Sequence, residues 1–149
     1  MATEQAGERQ LFIYGTLREP NHPMHRFLRR HSQWLGRASI SARLYELGDY
    51  PGAILAPTGI DATGARVWGD VVCLSDAAGL LQKLDDYEEC TAAYAEPHEY
   101  RREITRASMD NGKSLSCWVY AYQHKVDESR RIVSGDYLEH LKLANNPRR

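Results

Sequence analysis

Two short segments carry residue types that can do chemistry together. Tyr14, Gly15, Thr16 and Leu17 close a strand-like run that begins at Gln10. A strand ending in such a glycine turn can present several backbone N–H groups to an anion. Farther along, Leu84-Asp85-Asp86-Tyr87-Glu88 ends an apolar-periodic stretch that Ser75 or Asp76 can cap as a helix. At about 100° per residue, Leu80, Leu81, Leu84, Tyr87 and Glu88 fall within one arc of roughly 120°. Glu88 thus shares the apolar side, whereas Glu89 projects toward Gln82 and Asp85, the solvent side. A carboxyl group held on an apolar surface binds its proton more tightly and can exchange it near neutral pH. Turn amides and such an acid together predict a small pocket that grips a carboxylate-bearing substrate and moves protons on it. The plainer alternative is a frayed helix end with Glu88 as a surface acid. Asp85 and Asp86 read as a solvated face rather than a paired-acid site.

The elements that must position these groups follow from pattern. Asn21 or His22 can cap a helix that starts at Pro23 and repeats Met24, Phe27, Leu28 and His31 on one side. Ala38 to Leu47 alternates as a strand, and Asp49-Tyr50-Pro51-Gly52 signals a turn or loop. Val67 to Leu74 is a further strand, and Gly69 within it predicts a close backbone approach. Tyr100–Ala107 and Leu115–Tyr122 pair as a hairpin around Asn111-Gly112. A last short helix after Ser134-Gly135-Asp136 carries Leu138 and Leu141. Many strands, few crossover helices and no Gly-rich phosphate loop predict an α+β fold with a largely antiparallel sheet.

The chain of 149 residues is the size of one domain, expected over residues 10–140 with mobile polar termini at 1–9 and 141–149. A net charge of −1 gives no global attraction to nucleic acid or an anionic membrane, so Arg26, Arg29, Arg30 and Arg37 read as a solvated face. No apolar run approaches the roughly 20 residues of a membrane span, and Met1–Arg9 lacks the apolar centre of a signal peptide, which favours the cytosol. Cys73 and Cys117 sit in strand-like runs and read as buried, while Cys90 follows the helix. His22, His25 and His31 lack the further ligands a zinc site needs, so no metal is expected.

In this order and at these separations, the motifs resemble the γ-glutamylcyclotransferase-like family, especially its γ-glutamylamine cyclotransferase and plant avirulence-induced members. The likeness runs from about Leu11 to about Tyr137 and includes Tyr14-Gly15-Thr16-Leu17, Asn21-His22, Tyr50-Pro51-Gly52 and Gly69-Asp70-Val71. It continues through Leu84-Asp85-Asp86-Tyr87-Glu88, Tyr100-x-Arg102 and Ser134-Gly135-Asp136-Tyr137. The resemblance implies a small closed mixed β-barrel with surrounding short helices. It implies a catalytic Glu88, with Tyr14, Gly15, Thr16, Leu17, Tyr50, Arg102 and Tyr137 at the substrate. Three of these have a second, structural reading: Arg102 as a partner of Glu103 or Asp136, Tyr14 as a packed strand-end aromatic, and Tyr137 as packing beneath the closing segment. The implied activity releases 5-oxoproline and an amine or amino acid from a γ-glutamyl substrate, by a monomer or homodimer, with no cofactor and no nucleic-acid partner. A non-catalytic module keeping the same pocket is the alternative. The segment Cys90–Glu99 is longer than in the closest amine-specific members.

Overall fold

A computed structural model describes residues 9–56 and 63–144. Its strands are β1 (Gln10–Ile13), β2 (Ser32–Glu46), β3 (Pro51–Leu55), β4 (Arg66–Leu74), β5 (Tyr100–Met109) and β6 (Ser114–Tyr122). The α-helices are α1 (Pro23–His31), α2 (Ala77–Tyr87) and α3 (Tyr137–Ala144), with short 3₁₀ turns at Thr16–Arg18 and Glu128–Arg130. The strands run β2-β4-β1-β6-β5 in space, and pairing of Ala38 with Met109 and Ser39 with Ser108 returns β5 to β2. That closes a five-stranded barrel. β3 extends it along the far half of β2, with Ala42 opposite Leu55 and Glu46 opposite Pro51. Only the β1–β6 pairing, at Leu11 and Trp118, is parallel among the described pairings, so the barrel is mixed and mostly antiparallel.

β1 shows why its sequence is apolar from Leu11 to Ile13. Phe12 and Tyr14 join a core cluster that draws on all five barrel strands, including Ile40, Val67, Ala107 and Val119. Leu11 and Ile13, one residue out of phase, join a second cluster with Leu28 of α1 and Leu80, Leu81 and Leu84 of α2. The period of two puts alternate residues on opposite faces, and here both faces are covered. Gly69 stands opposite this strand: a Cβ there would lie 2.1 Å from the Ile13 carbonyl oxygen. The close approach expected from the sequence is therefore real, and it lets β4 lie against the strand end that leads into the Tyr14–Leu17 loop.

Several boundaries differ from the sequence reading. β2 starts at Ser32, not Ala38, because the half-exposed stretch before the Gly36 bulge hides its alternation. The Pro51-Gly52 turn signal conceals β3, whose first residue is the proline, a position where a strand tolerates a missing donor. α3 runs to Ala144, four residues past position 140, and packs Leu141 on the core. Residues 1–8 and 145–149 lie outside the described residues. Cys117 is buried, but Cys73 is only half-buried because it falls at the end of β4, beside Gln10 and Gln33. Among the described residues, no helix is long and apolar enough to cross a membrane.

Candidate active site

α2 begins at Asp76, whose carboxylate accepts from the Gly79 N–H at 3.3 Å, and lays Leu80, Leu81 and Leu84 against the barrel. Its last turn is closed by three backbone bonds: Glu88 N–H to Leu84 O (2.8 Å), Glu89 N–H to Asp86 O (3.0 Å) and Cys90 N–H to Asp85 O (3.0 Å). The last two form a Schellman ending, which calls for a left-handed residue just past the cap. Glu89 fills that position with φ 58° although glycine is the usual occupant. Glu88 is the cap itself rather than a helical residue. The turn, more than helical periodicity, fixes where its side chain goes.

Glu88 lines a cavity of about 650 Å³, within the usual range for small-molecule sites. Tyr14, Gly15, Thr16 and Leu17 form one wall, Tyr87 and Glu89 flank the acid, and Tyr50 and Pro51 approach from the β2–β3 turn. Tyr94 to Tyr100 contributes most of another side, and Tyr120 lies at the base of β6. Among the residues lining this space there is no lysine or arginine. The Glu88 carboxyl accepts no hydrogen bond among the described residues. Its pKa is pushed up to about 7, first by burial and then by the charges of Asp85 and Glu89. By surface area the residue is half-buried, and its carboxyl is crowded by protein on the cavity wall.

The opposite wall is held by side chains behind it. The 3₁₀ turn at Thr16–Arg18 leaves its leading N–H groups without partners in the turn itself. Gly15 passes so close to Pro51 that a Cβ would meet its ring at 2.9 Å. His25 donates from Nδ1 to the Leu17 carbonyl at 2.7 Å. Arg18 reaches Asp70 at 3.2 Å and Asp136 at 3.3 Å. The separate Gly69-Asp70 and Ser134-Gly135-Asp136 motifs thus converge on one guanidinium beside the loop. Arg18 was missed in the sequence; the signal was three distant segments, each bearing one member of a charge set.

The tyrosines divide between wall and scaffold. Tyr14 donates to the Tyr120 carbonyl (2.6 Å) and accepts from the Ala53 N–H (3.1 Å), so its hydroxyl belongs to the fold while its ring faces the cavity. Burial raises its pKa well above the ordinary phenol value, as it does for Tyr100, which donates to Pro51 O at 2.6 Å. Tyr50 donates to the Glu99 carboxylate at 3.0 Å. The Tyr87 hydroxyl meets His22 Nε2 at 3.0 Å. Because His22 Nδ1 accepts from the Met24 N–H, the proton of the neutral ring sits on Nε2, which donates to Tyr87.

Two residues expected at the substrate stand elsewhere. Tyr137 is buried in the barrel core and donates to Asp49 O at 3.1 Å. Arg102 points to the helix end, pairing with Asp85 at 2.7 and 3.0 Å rather than with Glu103 or Asp136, and stacks 4.2 Å over Trp118. Asp85, read from periodicity as solvated, is half-buried in that pair and also accepts from Tyr120 at 2.7 Å. The histidines do not converge, and no metal-ligating cluster occurs among the described residues. Of the basic residues near α1, Arg29 and Arg37 lie over Trp34 and Trp68, and Arg26 donates to Asn21 O.

The chain as a whole matches a known family. The family model "Gamma-glutamyl cyclotransferase, AIG2-like" covers residues 11–139, and this chain belongs to that family. It is 32% identical over 134 residues to the gamma-glutamylcyclotransferase family protein YtfP of Escherichia coli K12, covering 89% of this chain and 99% of that one. Among solved structures, an AIG2-like protein from Mus musculus has a TM-score of 0.60 at 24% identity, over 80% of each chain. YkqA from Bacillus subtilis has a TM-score of 0.68 at 22% identity, over 93% of this chain and 42% of that one. At those identities the two structures speak for the fold.

Proposed function

We propose that this chain cyclises a γ-glutamyl amide to 5-oxoproline and releases the amine or amino acid, with Glu88 as the proton carrier. The observation that carries the reading is one unpaired, enclosed carboxyl, held near neutrality, in the same cavity as the Gly15–Leu17 amides. Membership of the cyclotransferase family supports the reaction class.

The substrate brings its own nucleophile. Ionised Glu88 takes a proton from the substrate α-ammonium, and the freed nitrogen pair forms a bond to the γ-carbonyl carbon. The carbonyl electrons move onto oxygen, or the substrate α-carboxylate is bound, at the loop N–H groups; among the described residues no lysine or arginine lines the cavity for either anion. As the intermediate collapses, the bond to the leaving nitrogen breaks and that nitrogen takes the proton from Glu88. The ring nitrogen gives up its second proton by the same route, so a neutral lactam and an ammonium ion leave and Glu88 ends as it began. Holding the glutamyl chain folded supplies the proximity effect, up to ~7–11 kcal/mol in favourable systems. Acid–base transfer typically adds ~10²–10⁴-fold.

The test is a panel of γ-glutamyl amides and dipeptides with detection of 5-oxoproline. Glu88→Gln should lower release by ~10²-fold or more, and Glu89→Gln should lose far less. Undiminished release by purified, folded Glu88→Gln refutes the assignment. Tight binding of 5-oxoproline with no turnover by the wild type would leave a binding module instead.

A further inference from the structure

One polar cluster stands just behind the cavity and is not used by the chemistry above. Asp85 lies one turn before Glu88 and is held from three directions. Arg102 of β5 grips its carboxylate with two bonds, Tyr120 of β6 donates to it, and its backbone carbonyl accepts the Cys90 N–H that closes the turn around Glu88. Arg102 is itself fixed over Trp118 of β6. Tyr120 in turn receives the Tyr14 hydroxyl on its carbonyl, which links the cluster to the loop wall. The side chains of Arg102 and Asp85 are only 24% and 19% exposed, so solvent screens their charges less than those of surface acids.

We propose that Asp85, clamped by Arg102 and Tyr120, is the positioning residue for Glu88, setting both the place of its carboxyl and the proton affinity with which it works. The clamp has two opposed effects. The Asp85 charge opposes ionisation of Glu88, and Arg102 partly neutralises that charge.

The other groups around Glu88 leave Asp85 as the adjustable part. From β1, the β2–β3 turn, β5 and β6 it faces Tyr14, Tyr50, Tyr100 and Tyr120, all with hydroxyl pKa values raised above the ordinary phenol value and therefore neutral. Tyr87 beside it and Tyr94 across the cavity are likewise raised. The thiol of Cys90, raised to about 11, is neutral too. His98 and Glu99 come from the segment after α2; Glu99 and Glu89 are exposed acids, Glu89 adding to the effect of Asp85 as the weaker contributor.

The experiment follows Glu88 directly, by carbon NMR of glutamate-labelled protein with the resonance assigned through Glu88→Gln. Asp85→Asn keeps the Oδ1 acceptor shared by Arg102 Nε and Tyr120, gives up the second Arg102 bond at Oδ2 and removes the charge, and should lower the Glu88 midpoint by about one pH unit. Arg102→Met leaves Asp85 uncompensated and should raise it by about one pH unit. Arg102→Lys should stay close to the wild type. The acid limb of the kcat/KM profile should move in the same sense in each variant. A cluster that only braces the fold would lower turnover without moving any midpoint. An unmoved midpoint in folded Asp85→Asn and Arg102→Met, or displacement of both in one direction, overturns the proposal. If Asp85→Asn does not fold, the comparison of Arg102→Met with Arg102→Lys decides. The kinetic arm rests on the cyclisation reading and the NMR arm does not, so the two fail separately.

Discussion

Replacing Glu88 by glutamine should make the protein more stable, by an amount that depends on pH. The acid has a folded pKa of about 7 against an ordinary 4.5, so folding and protonation are linked. Below pH 4.5 the carboxyl is protonated in the folded and unfolded chains alike, and the neutral form fits its enclosed position. Between 4.5 and 7 the unfolded chain releases a proton that the folded chain retains, so stability falls as pH rises. Above 7 the folded chain must bear an enclosed, unpaired charge. The gap between the two values, at about 1.4 kcal/mol per pH unit, sets the full loss at about 3 kcal/mol. Glutamine has the same shape and cannot ionise, so Glu88→Gln should match the wild type at pH 4.5 to within a constant offset. It should then gain on the wild type by up to about 3 kcal/mol by pH 8.5. The assay is urea unfolding followed by fluorescence of the three tryptophans at a series of pH values and fixed ionic strength. Subtracting the two stability curves cancels every other titrating group that does not interact with residue 88. A difference that stays flat from pH 4.5 to 8.5 would refute the placement of this carboxyl in an enclosed site. The predicted gain also opposes function, since the same change removes the proposed proton carrier.

Two smaller changes probe the surrounding framework. Tyr14→Phe deletes a hydroxyl shared by the Tyr120 carbonyl and the Ala53 N–H, both in buried surroundings; a loss of about 1–3 kcal/mol is expected in urea unfolding, and an unchanged midpoint would show that the bridge contributes nothing. Glu89→Gly relieves a left-handed backbone at the Schellman position and should raise stability by about 1 kcal/mol; a loss in the same measurement would mean that the Glu89 side chain stabilises the turn by more than the strain.

The sequence conveyed the strands and helices whose hydrophobic period is local, and it conveyed less wherever pairing partners are distant. β6 and β5 were legible because Asn111-Gly112 joins them. β3 was not, since five residues beginning Pro-Gly look like a turn until β2 lies beside them. Glu88 was brought to the cavity side by the reading at 100° per residue, although the actual device is the capped turn after the helix. The same reading sent Asp85 to solvent, because periodicity knows nothing of Arg102, seventeen residues on in another strand. Tyr14, Gly15, Thr16, Leu17, Tyr50 and Glu88 do meet in one cavity. Tyr137 and Arg102 belong to motifs that surround the cavity, where a short signature cannot distinguish a residue that touches a ligand from one that holds the wall.

The lone parallel pairing has a bearing on how the molecule is made. β1 lies between β4 and β6, so its second neighbour is the strand that contains Trp118. During synthesis β1 must wait on the ribosome with one side bare until β6, about a hundred residues further along, has emerged. Non-local closure of this kind is slow and leaves sticky edges open meanwhile. A nascent or prematurely terminated chain ending before Ser114 would therefore present the Leu11–Ile13 edge to chaperones, or to other copies of itself, instead of completing the barrel.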